Sequence, residues 1–95
     1  MQTDDFEWDD GKAARNLEKH GVSFEAATFA FDDPHAQDDV DAGRHAGEIR
    51  YKLTGQVENK ALVVIFTLRG SRTRLISARH ANDDERSNYL ENRRS

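Results

Sequence analysis

Arg69, Arg72, Arg74, Arg79 and His80 fall within twelve residues of one another, and Lys19 and His20 close an earlier helical pattern. Arginine presents a planar fork that grips phosphate with two parallel hydrogen bonds. Histidine as a residue type titrates near neutrality and can act as an acid or a base. Such parts can cleave RNA without a metal. The 2′-oxygen attacks the phosphorus, a base takes its proton, an acid protonates the leaving 5′-oxygen, and cations hold the added negative charge. The candidate catalytic residues are therefore Arg69, Arg79, His80, His20 and Tyr89, the last if a closing helix folds over a sheet. The candidate RNA contacts are Lys19, Arg69, Arg72, Arg74 and Arg79.

Each of these side chains also has an ordinary structural use. Arg72 and Arg74 can guard a strand edge against aggregation. His20 follows Leu17 on an apolar helical pattern, where a histidine is usually packed. Tyr89 suits a core anchor. The acidic stretch Asp32, Asp33, His35, Asp38, Asp39 and Asp41 offers oxygen and nitrogen ligands, but its spacing lacks the Gly and Glu of a calcium loop. It reads as a solvated loop, so no metal site and no cofactor are expected.

The net charge of −4 hides an asymmetry. The first 43 residues carry three Lys or Arg against twelve Asp or Glu, and the rest carry eleven against six. A basic half is compatible with an anionic partner even in an acidic protein. There is no cysteine, which excludes disulfides and thiolate metal sites. No stretch is long and apolar enough to span a membrane, and the start has no signal-peptide pattern. A cytoplasmic protein with no membrane association is expected. Residues 1–95 read as one domain with one modest core.

The elements that must position the basic residues centre on Ala61 to Leu68, an apolar, β-branched run of strand length. Gly70-Ser71 suits a type II′ turn. A return strand then carries the arginines. Counting from that turn pairs Arg69 with Arg72, Thr67 with Arg74, Ile65 with Ile76 and Val63 with Ala78. Ile65, Arg69, Arg74 and Ile76 would share one face, apolar and basic, that fits a protein partner.

Earlier in the chain, Phe6-Glu7-Trp8 reads as a short strand. Gly11 to His20 reads as a helix capped by Asp9 or Asp10, packed through Ala13, Leu17 and His20 and ended by Gly21. Ser23 caps a second helix that buries Phe24, Ala27, Thr28 and Phe31. Residues 32–47 read as a loop with a short edge strand around His35 to Val40. Ile49 to Thr54 alternates as a strand, and Gly55 to Lys60 reads as a polar connection. Asn82 and Glu85 form a capping-box pattern for a last helix. The expected fold class is α+β: two N-terminal helices, an antiparallel β-meander and a C-terminal helix, with a possible short N-terminal strand.

Phe6-Glu7-Trp8-Asp9, Lys12-Ala13, Asn16, Lys19 to Ala27 and Phe31-Asp32-Asp33-Pro34 resemble the first half of the BrnT toxin family. Leu62-Val63-Val64, Thr67, Arg69-Gly70, Arg72, Arg74 and Ile76-Ser77-Ala78-Arg79 resemble its second half. Leu68, Ser71, Thr73 and His80 depart from the family pattern. The resemblance covers roughly residues 6 to 90. It implies a RelE-like fold and a metal-independent endoribonuclease toxin that inhibits translation. It also implies a BrnA-like antitoxin with a ribbon-helix-helix domain, held in a hetero-oligomer and reaching operator DNA only through that antitoxin. The other reading is a catalytically weak or inactive binding module that acts through its antitoxin as a corepressor.

Overall fold

The computed structural model describes residues 1–39, 43–45 and 47–94, and Val40 and Asp41 lie outside them. The elements in chain order are β1 (Phe6–Glu7), α1 (Asp10–His20), α2 (Phe24–Thr28) running into a 3-10 turn (Phe29–Asp32), and β2 (Gln37–Asp39). Then come β3 (Arg44–His45), β4 (Glu48–Ile49), β5 (Tyr51–Val57), β6 (Lys60–Arg69), β7 (Arg72–His80) and α3 (Asp83–Arg93). The main sheet runs β1-β7-β6-β5-β2, with β1 parallel to β7 and the other pairs antiparallel. The expected α+β class holds, and so do both long helices and the central hairpin. β3, in the stretch read as loop, pairs with β4 in a small separate ribbon, so Ile49, expected at the start of the next strand, belongs to that ribbon and β5 begins at Tyr51.

The helix ends follow from their capping residues. The Asp9 carboxylate accepts from the Lys12 N–H at 2.9 Å and opens α1. Gly21 closes it at φ 69° and donates its N–H to the Leu17 carbonyl at 2.8 Å. Ser23 caps α2 through the Ala26 N–H. Asn82 and Glu85 complete the capping box of α3, at 2.8 and 2.9 Å.

The core lies between the sheet and the two N-terminal helices. Trp8, Val22, Phe24, Ala27 and Ala30 pack on Leu53, Leu62, Val64, Phe66, Leu75 and Ala78. An aromatic row, Phe6, Phe31, Phe66 and Tyr51, closes one end with centroid spacings of 5.2, 5.1 and 5.4 Å. β5 continues through Gly55 to Val57, where the sequence pattern points to a connection. A Cβ on Gly55 would sit 2.6 Å from the Ala30 carbonyl oxygen, so the glycine permits a close crossing of strand and 3-10 turn.

Two expectations need correction. The first is the hairpin register. From the turn it runs as counted, Arg69 opposite Arg72 and Thr67 opposite Arg74, and then breaks between Ile65 and Phe66. Ile65 faces Ser77, Val64 faces Ala78 and Val63 faces Arg79, which leaves Ile76 as the extra residue of a bulge. The reason is in the core. Leu75 and Ala78 are both buried against the helices, yet they are three residues apart. Strict alternation would send them to opposite faces, and the extra residue restores them to one. Ile65 and Ile76 are therefore not a cross-strand pair.

The second correction concerns α1. Leu17 is 51% exposed, while Asn16 is only 6% exposed. The inward face is Ala13, Asn16 and His20, not Ala13, Leu17 and His20. Asn16 does what a neighbouring strand would do. Its amide donates to the Ala78 carbonyl at 2.8 Å and accepts from the Ala78 N–H at 3.1 Å. It donates a further bond to the Val22 carbonyl at 3.0 Å. β1 covers β7 only at Thr73 and Arg74, so this side chain satisfies part of the edge that β1 leaves open.

Candidate functional site

The basic side chains occupy three places. At the hairpin tip, Arg69 lies 4.0 Å from Glu48, and Arg72 donates to the Thr3 carbonyl at 2.8 Å. Arg79 is seven residues further along β7 than Arg72, roughly 23 Å away at about 3.3 Å per residue. Arg69 and Arg79 thus do not share one site.

The second place is the sheet face crossed by α3. Arg74 pairs with Glu7 at 2.7 Å. Arg79 grips Glu85 with two parallel bonds, 2.7 and 2.9 Å, and Lys52 reaches the same carboxylate at 2.6 Å. The bonds from Arg79 hold the Glu85 carboxyl down at about 2, with Lys52 and the Asn82 N–H adding to them and burial opposing. Arg79 in turn is raised, chiefly by its bonds to Glu85. Tyr89 is only 1% exposed, and its hydroxyl donates a short hydrogen bond to Asp33. Burial, and then that bond, pushes the Tyr89 phenol up to about 12. Burial works against the charge on Asp33, but Tyr89 and the N–H groups of Gln56 and His35 outweigh it and hold the carboxyl low. Arg74 and Glu7 tie β7 to β1, and the other bonds fasten α3 to the sheet and to the residue that follows the 3-10 turn.

The third place is a groove of about 310 Å³ between α1 and β7, lined by Lys12, Arg15, Asn16, Lys19, His20, Ile76 and Ser77. Lys12, Arg15 and Lys19 stand at i, i+3 and i+7, so helical geometry puts them on one stripe. Among the described residues none of the three has a carboxylate within 4.0 Å. His20 ends the stripe, half-buried against the strand. The bulge supplies the other wall with Ile76 and Ser77. Three cations outside any ion pair among the described residues, beside an imidazole, can bind a phosphodiester and move a proton.

Of the expected catalytic residues, this groove contains His20, and of the expected RNA contacts, Lys19. His80 is at the other side of the end of α1, in a cavity it shares with Leu17, Gly21 and Val22. Of the expected antitoxin face, Ile76 lines the groove, Arg74 is tied to Glu7, and Ile65 is half-buried within the sheet. Lys12, Arg15, Asn16 and Ser77 were not singled out as site residues from the sequence. The signal for the first two is the helical spacing they share with Lys19. A larger cavity of about 480 Å³ lies by Phe29, Pro34 and Arg93, but Asp32, Asp33 and Glu58 line it, which disfavours an anionic ligand.

Residues 8–85 match the family model described as the ribonuclease toxin BrnT of type II toxin–antitoxin systems. A comparison with curated proteins finds no match. The matched span includes the whole of the α1–β7 groove and the sheet beside it, and it covers most of the chain. The chain therefore belongs to the BrnT family of ribonuclease toxins, and a type II antitoxin is the partner that this membership implies.

Proposed function

We propose that the protein is a RelE-like, metal-independent endoribonuclease that inhibits translation by cutting RNA, with its substrate seated in the α1–β7 groove. The observation that carries this reading is the stripe Lys12, Arg15 and Lys19, none of them in an ion pair among the described residues, ending at His20. The three cations hold the phosphate and the charge that builds on it as the 2′-oxygen adds. The new bond is O2′–P and the bond that breaks is P–O5′, which leaves a 2′,3′-cyclic phosphate and a 5′-hydroxyl. His20 moves the proton on the groove wall. Arg79 and Tyr89 contribute by fastening α3, since their polar atoms are already bonded to Glu85 and Asp33. A BrnA-like ribbon-helix-helix antitoxin restrains the toxin in a hetero-oligomer and carries it to operator DNA.

The test is incubation of purified protein with single-stranded RNA in excess chelator. Cleavage with cyclic-phosphate ends is expected, and His20→Asn should slow it by about 10²- to 10⁴-fold. Activity abolished by chelation would make the nuclease metal-dependent. RNA binding without any cleavage would leave a binding module that acts through its antitoxin.

A further inference from the structure

The groove has two unlike walls. The helical wall is cationic. The strand wall is the bulge, where the lining residues are Ile76, which is apolar, and Ser77, which carries a hydroxyl. Both are half-buried. Ile76 is left out of the cross-strand pairing, and Ser77 follows it opposite Ile65. At a bulge two successive residues oppose one, and the local bend can aim both side chains to the same side. The Ser77 hydroxyl makes no hydrogen bond among the described residues. Asn16 clamps Ala78 one residue on, so the bulge is held in place from the helix that bears the cations.

We propose that this bulge is the nucleoside subsite of the groove, with Ser77 reading the ribose 2′-hydroxyl and Ile76 packing on the base. The inference rests on the reading of the groove as an RNA site. Phosphate contacts from Lys12, Arg15 and Lys19 cannot tell RNA from DNA, because both carry the same backbone charge. A group beside the sugar can, since the 2′-hydroxyl is both donor and acceptor and marks RNA alone. A serine hydroxyl offers the complementary pair. The stripe from Lys12 to Lys19 is about 10 Å long at 1.5 Å per residue. At roughly 3.4 Å of rise per nucleotide in a stacked strand, that length spans about three nucleotide steps and so takes in the phosphates that flank one nucleoside. An apolar residue there adds sequence-tolerant contact with the base face.

The experiment uses the full chain carrying His20→Asn to stop turnover, with fluorescent single-stranded RNA and DNA octamers of matched sequence, read by anisotropy. RNA should bind more tightly than DNA. Ser77→Ala should weaken RNA binding about three- to tenfold and leave DNA binding as it was. Ser77→Thr keeps a hydroxyl and suits a strand, so it should retain the preference and shows that any loss in Ser77→Ala is not a folding defect. Ile76→Ala should weaken both octamers alike. An RNA preference that survives Ser77→Ala would overturn the subsite. With that outcome, cleavage of RNA by the His20-intact protein in chelator would leave the ribonuclease reading standing while the subsite falls. If it neither binds nor cuts RNA, both fall.

Discussion

One strand, β7, serves two basic regions that use positive charge in opposite ways. Beneath α3, Arg79 and Lys52 converge on one carboxylate, Glu85, and Arg74 is answered by Glu7. Between β7 and α1, Lys12, Arg15 and Lys19 have no such partners among the described residues. The density of arginine along β7 therefore does not locate free charge. Paired cations hold the fold together, and unpaired ones can meet an anion from outside. A charge becomes a binding site only after the carboxylates within reach have been subtracted.

The largest expected effect comes from the side chain that builds the groove. Asn16→Leu keeps the volume but leaves the Ala78 N–H and carbonyl and the Val22 carbonyl without partners. Buried groups left unsatisfied cost about 1–3 kcal/mol each, and partial relaxation makes roughly 3–5 kcal/mol a fair total. Thermal unfolding should show a drop of well over 10 °C, at about 4–8 °C per kcal/mol for a domain this size. Leu17→Asp, one residue along, should shift the midpoint by only a few degrees because Leu17 is half in solvent. The reverse ranking would return α1 to the face expected from its apolar spacing.

Next comes the charge on the groove itself. Lys12→Gln, Arg15→Gln and Lys19→Gln together should leave the fold intact, since all three are exposed. RNA affinity near physiological salt should fall by roughly fifty- to a hundredfold, and the slope of log affinity against log salt should flatten by about 2. An unchanged slope would mean that the groove touches no phosphate.

Much of the fold was legible because its signals are local. Asp9, Gly21, Ser23 and Asn82 announce helix ends by chemistry that needs no tertiary partner. The Gly70-Ser71 turn and the apolar run of β6 set the hairpin in the same way. What was not legible depends on contacts far apart in sequence. Asn16 looks like a surface residue until Ala78, 62 positions away, is seen to need it. The bulge at Ile76 exists because Leu75 and Ala78 must both reach the core, and alternation along the chain points the other way. Gly55 reads as a break, and only the Ala30 carbonyl explains it as part of a strand. The candidate site suffered most, because the carboxylates that take up Arg74 and Arg79 come from β1 and α3. Membership of the BrnT family was readable from motifs spread over most of the chain, whereas the division of its basic residues into paired and unpaired side chains was not.

A smaller effect tests the bracing side. Glu85 has an ordinary carboxyl value of 4.5 and is held at about 2 in the fold. Between those values the folded state binds fewer protons than the unfolded one. Its contribution is therefore complete above about pH 4.5 and is lost as pH falls toward about 2. Glu85→Gln should cost on the order of 2 kcal/mol at neutral pH, discounted for the exposure of Arg79, and should flatten the acid limb of a stability–pH curve. The same change frees Arg79 and Lys52. RNA affinity should then rise two- to fourfold, about the worth of one added phosphate contact. A rise would show that bracing cations become binding cations once their carboxylate is removed. A loss of affinity with the fold intact would place Glu85 itself at the RNA.

The smallest effect is expected at the hairpin tip, where the arginines are neither braced by a buried carboxylate nor gathered into a groove. Arg69 is more than half exposed and only 4.0 Å from Glu48, a separation at which an exposed pair adds little. Arg72 is spent on the Thr3 carbonyl. Arg69 ends β6 and Arg72 begins β7, at the opposite end of the hairpin from Arg79. An RNA seated against His20 and Ser77 could reach the tip only by running along the strand. Arg69→Gln with Arg72→Gln should therefore reduce RNA affinity no more than two- to threefold. The change in salt slope should stay under about 0.7, the value of a single contact. The informative measurement is the double variant on top of the three groove substitutions, because distant, independent sites add. Simple addition would put the tip on a separate stretch of RNA or out of its path. A loss much larger than the sum, or a loss at the tip that matches the groove, would mean that the RNA follows the arginines of β7 after all.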